Sequence, residues 1–220
     1  MEVFYHGTCR LFETFDPAKL GSGEGKSKFG HGIYITSSYE SAAKYASKAG
    51  EKNNIEDYYV YTLEVPELIV GAYVMSSLAV NPEIVNRIET ALGETVPDAA
   101  KEEGKKFRKY VGNLLVGNKK TPENKKGMTE KKMMDEAKFD AEDAASRFFN
   151  KHGITYLVWP YNQLSKDKLI EKIQEKGMAG IETNRAVLNP ECIRILKIEK
   201  VKTTADHEYI QDSKELVKEF

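Results

Sequence analysis

The chain has 220 residues, 40% of them hydrophobic and 10% aromatic, which fits one large domain or two small ones with a real core. Its 33 Lys and Arg stand against 34 Asp and Glu, so a formal charge of −1 excludes a uniformly polycationic nucleic-acid binder. Two cysteines (Cys9 and Cys192) without zinc-ligand spacing, no signal-peptide pattern and no apolar run near the roughly 20 residues that span a bilayer predict a soluble, cytoplasmic protein without a zinc site.

Residues 1–75 read as mixed α/β. MEVFYHGT begins as a strand, and GIYIT (32–36) is another. SSYESAAKYASKAG predicts a helix with Ser37 or Ser38 as N-cap, Glu40 in its first turn and Gly50 as its stop. YYVYTLEV (58–65), rich in β-branched and aromatic residues, is a strand.

Residues 76–140 read as a helical insertion. Pro82 opens a helix with Ile84, Ile88, Ala91 and Leu92 on one face, and Phe107, Tyr110, Val111, Leu114 and Leu115 repeat that spacing. GNKKTPENKKGMT (117–129) has almost no apolar content and reads as a mobile loop. AEDAASRFFNKHG returns to a helix ended by Gly153, followed by a strand over ITYLVW that stops at Pro160. AVLNPECIRILKIEKV supplies one or two strands broken at Asn189–Pro190, and a polar tail (203–220) is expected to form a short helix.

Four features invite a chemical reading. His6 lies on the opening strand, where a lone histidine is ordinarily structural. The window 21–34, GSGEGKSKFGHGIY, holds five glycines and can bring backbone N–H groups close to a phosphate, although it is neither a Walker loop nor a GxGxxG helix start. Tyr34 is followed eleven residues later by Tyr45, a spacing that fits two rings around a flat aromatic ligand or two core tyrosines. Glu182-Thr183-Asn184 precedes a strand starting near Arg185.

In this order the four features resemble the ADP-ribosyltransferase superfamily, on its His-Tyr-Glu, diphtheria-toxin-like side. YHGT and FGHGIYITSSYESAAKYA match its first two motifs, and the resemblance covers roughly residues 1–70 and 140–198. The likeness is greatest to transferase domains of phage polyvalent proteins and of bacterial toxin and anti-phage defence systems. It implies an α+β fold with a split mixed β-sheet over a single domain (1–220) that carries the helical insertion and the tail.

The resemblance also implies NAD as co-substrate and no metal. His6 would bond a ribose hydroxyl, and Gly7, with Thr8 beside it, would pair its backbone with the nicotinamide carboxamide. Tyr34 and Tyr45 would sandwich the nicotinamide ring. The glycine loop, with Gly23, Gly25, Phe29 and Gly32, would close over the adenosine side and the phosphates. Two positions depart from the pattern. Asn184 stands where the family usually has a glutamate, which argues for single transfer rather than chain elongation, and Glu182 is the alternative working group at that motif. Ala42 replaces a serine that bonds the carboxamide, and Ser41 does not substitute for it.

The implied activity is mono-ADP-ribosyl transfer to a macromolecule, RNA, DNA or protein, by a toxin of bacterial or phage conflict with an antitoxin partner. NAD hydrolysis and an inactive NAD- or nucleic-acid-binding module are the alternatives. Residues 101–132 hold eleven Lys and Arg (Lys101, Lys105, Lys106, Arg108, Lys109, Lys119, Lys120, Lys125, Lys126, Lys131, Lys132) against four glutamates, a local +7. That charge fits either a landing strip for nucleic acid or a solvated helix face that Asp135, Glu136, Asp140, Glu142 and Asp143 neutralise in cis.

Overall fold

Eight strands make one mixed sheet whose joints are of unequal strength. The computed structural model describes residues 1–17, 30–117, 129–160 and 164–220. The first half contains β1 (Glu2–Thr8), β2 (Ile33–Thr36), α1 (Tyr39–Asn53), β3 (Tyr58–Val65) and β4 (Tyr73–Met75). Helices α2 (Pro82–Leu92), α3 (Asp98–Lys101), α4 (Gly104–Leu115) and α5 (Glu130–Lys151) follow. The chain closes with β5 (Tyr156–Pro160), α6 (Lys166–Lys176), β6 (Thr183–Val187), β7 (Arg194–Val201) and β8 (Glu215–Glu219).

The strand order is β4-β5-β6-β2-β1-β3-β7-β8, antiparallel throughout except for β4 with β5. β1 meets β3 through seven residue pairs and β2 meets β6 through four, yet β1 meets β2 only at Tyr5↔Thr36. The sheet is therefore two four-stranded halves hinged on one pair, the split mixed sheet that the resemblance implies.

Local chemistry explains the helices. Ser38 accepts from the Ser41 N–H and caps α1, while Asn81 accepts from the Glu83 N–H ahead of Pro82 in α2. Ile84 and Ile88 of α2, Phe107 and Val111 of α4 and Phe149 of α5 bury one sheet face, against Val74, Leu157 and Ala186. Ala42 and Ala43 of α1 cover the same face of the other half at Val60 and Val201. The opposite face packs Phe4, Ile35, Tyr61, Leu63, Val158 and Val187, with Leu169 of α6 over them.

Several sequence expectations need correction. Gly50 does not stop α1, which runs on to Asn53 and ends at Asn54 in the left-handed conformation. Gly50 is instead buried in the helix, where a Cβ would sit 2.3 Å from the Tyr58 ring and 2.5 Å from the Ile55 carbonyl. The tail forms no helix, because residues 215–219 pair with β7 as an edge strand. Thr183 and Asn184 lie inside β6 rather than before it, and Pro160 is the last residue of β5 rather than its stop. Helix α5 runs unbroken through residue 140, the expected end of the insertion. Most of the loop expected at 117–129, with Lys119, Lys120, Lys125 and Lys126, lies outside the described residues.

One side chain braces the hinge. Arg185 of β6, 1% exposed, passes beneath β2 to reach β1, where its Nη1 donates to Glu2 Oε2 at 2.6 Å and its guanidinium lies 4.0 Å from the Phe4 ring centre. Removing one partner of such a pair strands a buried charge, whereas replacing both with neutral side chains does not. Glu2→Gln is thus expected to lower the unfolding free energy by about 3 kcal/mol, read from urea midpoints. Glu2→Gln/Arg185→Met is expected to recover most of that loss.

Candidate active site

The site forms where β1 and β2 part. Extending the register from Tyr5↔Thr36 would set Gly7 opposite Tyr34, but the ladder ends first. A side chain continues where the backbone pairing stops: His6 Nδ1 lies 2.7 Å from the Tyr34 carbonyl oxygen. A carbonyl only accepts, so Nδ1 carries the proton. Burial holds the imidazole pKa below the ordinary 6.5, and the Tyr34 bond, which favours the charged ring, offsets only part of this. His6 is therefore neutral at pH 7, with Nε2 a lone-pair acceptor.

Aromatic rings fix that imidazole. Phe15 meets it edge-on at 5.3 Å, and Phe12 and Tyr61 approach to 6.2 Å. Tyr61 stacks on Phe12 at 4.5 Å, and its hydroxyl both accepts from the Phe12 N–H and donates to the Phe12 carbonyl. Burial pushes the Tyr61 pKa up to about 12, so the phenol remains a donor. This shell is absent from the sequence reading. Its signal is the i, i+3 pair of phenylalanines ahead of the glycine window.

Alternation places the predicted residues on both faces of the sheet. His6 shares the face of Phe4, whereas Tyr34, Asn184 and Ala186 share the other. The Tyr34 hydroxyl donates to the Gly30 carbonyl at 2.8 Å, and its ring meets Trp159, another residue the sequence reading missed, edge-on at 5.6 Å. Asn184 is buried, paired in register with Thr36 on one side and Trp159 on the other. Glu182 is exposed just outside β6, where the extended register brings it level with Ser38 at the start of α1. Tyr45 is an exposed ring on α1, and Thr8 ends β1 beside the opening.

The glycines have structural reasons of their own. A Cβ on Gly7 would lie 1.7 Å from the Ala42 carbonyl oxygen, so the position admits only glycine because α1 crosses it. Gly32 is likewise pressed against β6, where a Cβ would meet the Val187 carbonyl at 2.7 Å. Gly23, Gly25 and Phe29 lie outside the described residues. Among the described residues no three His, Cys, Asp or Glu side chains gather as a metal-binding group, and no helix is long and apolar enough to cross a membrane.

The basic stretch is partly spent within the fold. Lys101 pairs with Glu89 and Asp98, Lys106 with Glu102 and Glu103, and Arg108 is buried on Glu142. Lys105, Lys109, Lys131 and Lys132 are exposed.

The depressed His6 pKa makes a linkage prediction. The unfolded chain binds this proton more readily, so the neutral ring's contribution is complete above pH 6.5 and is lost as pH falls toward the lower folded value. The His6 NMR titration is expected to have its midpoint below 6.5, and wild-type stability to fall more steeply than that of His6→Gln as pH drops below that value.

Residues 1–211 match the family described as ADP-ribosyltransferase in polyvalent proteins. No curated protein and no solved structure gives a match. The family match runs through both halves of the sheet and the helices between them, so the chain belongs to the ADP-ribosyltransferases found in polyvalent proteins.

Proposed function

We propose that the protein is an NAD-dependent mono-ADP-ribosyltransferase that moves ADP-ribose from NAD onto a macromolecule. The observation that carries this reading is the neutral His6, bonded through Nδ1 to the Tyr34 carbonyl at the mouth of the split. A ring committed on Nδ1 offers Nε2 as an acceptor, which suits a ribose hydroxyl. The Tyr34 ring, braced by its bond to Gly30 and by Trp159, suits a flat heterocycle, with Tyr45 as its second wall. Gly7 and Thr8 border the gap with backbone groups fit for a carboxamide, and the loop of Gly23, Gly25, Phe29 and Gly32 is assigned to the phosphates and adenosine.

In the reaction the bond between the ribose C1′ and the nicotinamide nitrogen breaks, and its electron pair leaves with neutral nicotinamide. The acceptor's lone pair forms the new bond to C1′, and its proton passes to a base. Charge develops on the sugar, so the protein's part is to hold the leaving group and present fixed dipoles to the cation. Buried Asn184 offers an amide dipole without net charge. Exposed Glu182 is suited to receive the acceptor's proton. The exposed Lys105, Lys109, Lys131 and Lys132 support a nucleic-acid acceptor, with protein as the alternative. The resemblance supports a toxin of phage–bacterium conflict, held in check by an antitoxin partner.

Labelled NAD incubated with cell extract is expected to mark a macromolecule, and nuclease or protease treatment afterwards identifies its class. His6→Ala should lower the labelling rate by about 100-fold. Glu182→Gln should lower macromolecular labelling by about as much while leaving NAD consumption without acceptor near wild type. Free ADP-ribose with no labelled macromolecule would mean an NAD hydrolase. Salt-sensitive RNA binding without calorimetric NAD binding would mean an inactive module.

A further inference from the structure

His31 lies inside the glycine window, two residues before β2, and has no role in the reading above. It is 2% exposed, its backbone N–H donates to Ser146 Oγ at 2.9 Å, and its Nδ1 lies 3.1 Å from Asp143 Oδ1. Both partners stand on α5, where Phe139 sets its ring 4.1 Å from the imidazole. Burial alone would raise the Asp143 pKa, but the bonds from Arg147 and His31 outweigh it and keep the carboxyl below its ordinary value. The ionised carboxylate can only accept, so His31 Nδ1 carries the proton. Nε2 is buried and has no hydrogen-bond partner among the described residues, so Asp143 of α5 holds this ring by its one polar contact among them.

The residue before it is seated as firmly. Gly30 has φ 105, and a Cβ there would lie 2.3 Å from Leu157 Cδ1, 3.2 Å from Ser146 Oγ and 3.4 Å from Arg108 Cδ. Arg108 is itself locked by Nε and Nη2 bonds to Glu142 at 2.6 and 3.2 Å. The Gly30 carbonyl, held in this slot between α4, α5 and β5, is the group that receives the Tyr34 hydroxyl.

We propose that His31 and Asp143 are positioning residues: α5 latches His31, His31 sets the Gly30 carbonyl, and that carbonyl sets the Tyr34 ring against which the nicotinamide would stack. The proposal rests on the reading of Tyr34 as part of the NAD site. It gives the helical insertion a second use, since α4 and α5 then form the outer wall of that site whatever their lysines bind.

The test uses the full chain. Trp159 is the only tryptophan and touches the Tyr34 ring, so its emission reports the latch without any turnover. Asp143→Ala is expected to shift that emission in the absence of NAD and to raise the KM for NAD about tenfold with kcat within about twofold. Asp143→Asn, whose amide oxygen still accepts from Nδ1–H, should recover most of both effects. Arg147→Ala removes only the exposed partner of Asp143 and should leave both unchanged. Ser146→Ala, which deprives the His31 N–H of its acceptor, is the second variant should Asp143→Ala not fold, and should raise the KM about threefold. Wild-type emission in Asp143→Ala overturns the latch, as does a changed emission with an unchanged KM. If the wild type turns over no NAD, the transferase reading fails on its own, and emission together with the calorimetric NAD Kd decides the latch.

Discussion

The structure depends on one weak joint. A continuous ladder would have sealed β1 against β2, but only Tyr5↔Thr36 pairs, and the strands part where Gly7 and Tyr34 would have met. Parting strands leave backbone polar groups without ladder partners, a cost that proteins tolerate only where side chains, water or ligands replace the lost bonds. His6 makes one such replacement at the Tyr34 carbonyl, and the Phe12, Phe15 and Tyr61 rings keep it in place. Arg185 holds the halves together beneath β2, beside its register partner Ile35, with charge and π contacts to β1 that need no β1–β2 ladder. The open joint is thus braced by a buried ion pair.

The elements legible in the sequence are those whose causes are local. β3 matches its predicted residues 58–65, and α2 begins at the proline that announces it. The β8 tail is polar with scattered apolar residues, and nothing within it says strand. Its partner is β7, some twenty residues earlier in register, so the pairing is a tertiary fact. Gly50 misleads for a similar reason, since a helix stop and a close contact both select glycine. Of the site, the motif residues were legible by resemblance, but the bond from His6 was not, because its acceptor is a backbone carbonyl and any residue at position 34 has one. Trp159 was hidden in a strand that read only as hydrophobic.

The motif glycines show how packing and binding overlap. Gly7 lets α1 cross β1 at backbone distance, and Gly32 lets β2 lie close on β6. Both would be required with no ligand at all. Their presence therefore supports the fold directly and the NAD site only through the geometry that the fold creates.

The charges follow the same logic. A local count of +7 over residues 101–132 suggests a cationic arm, yet Lys101, Lys106 and Arg108 are committed to nearby carboxylates. What distinguishes the site is where charge is withheld. Asn184 sits buried in the strand, where a carboxylate would carry a desolvation cost of several kcal/mol unless a cation compensated it. The charged member of the motif, Glu182, is displaced two residues outward into solvent, where water screens its field. On the transferase reading, this arrangement weakens help to bond cleavage and keeps the base where an incoming acceptor can reach it.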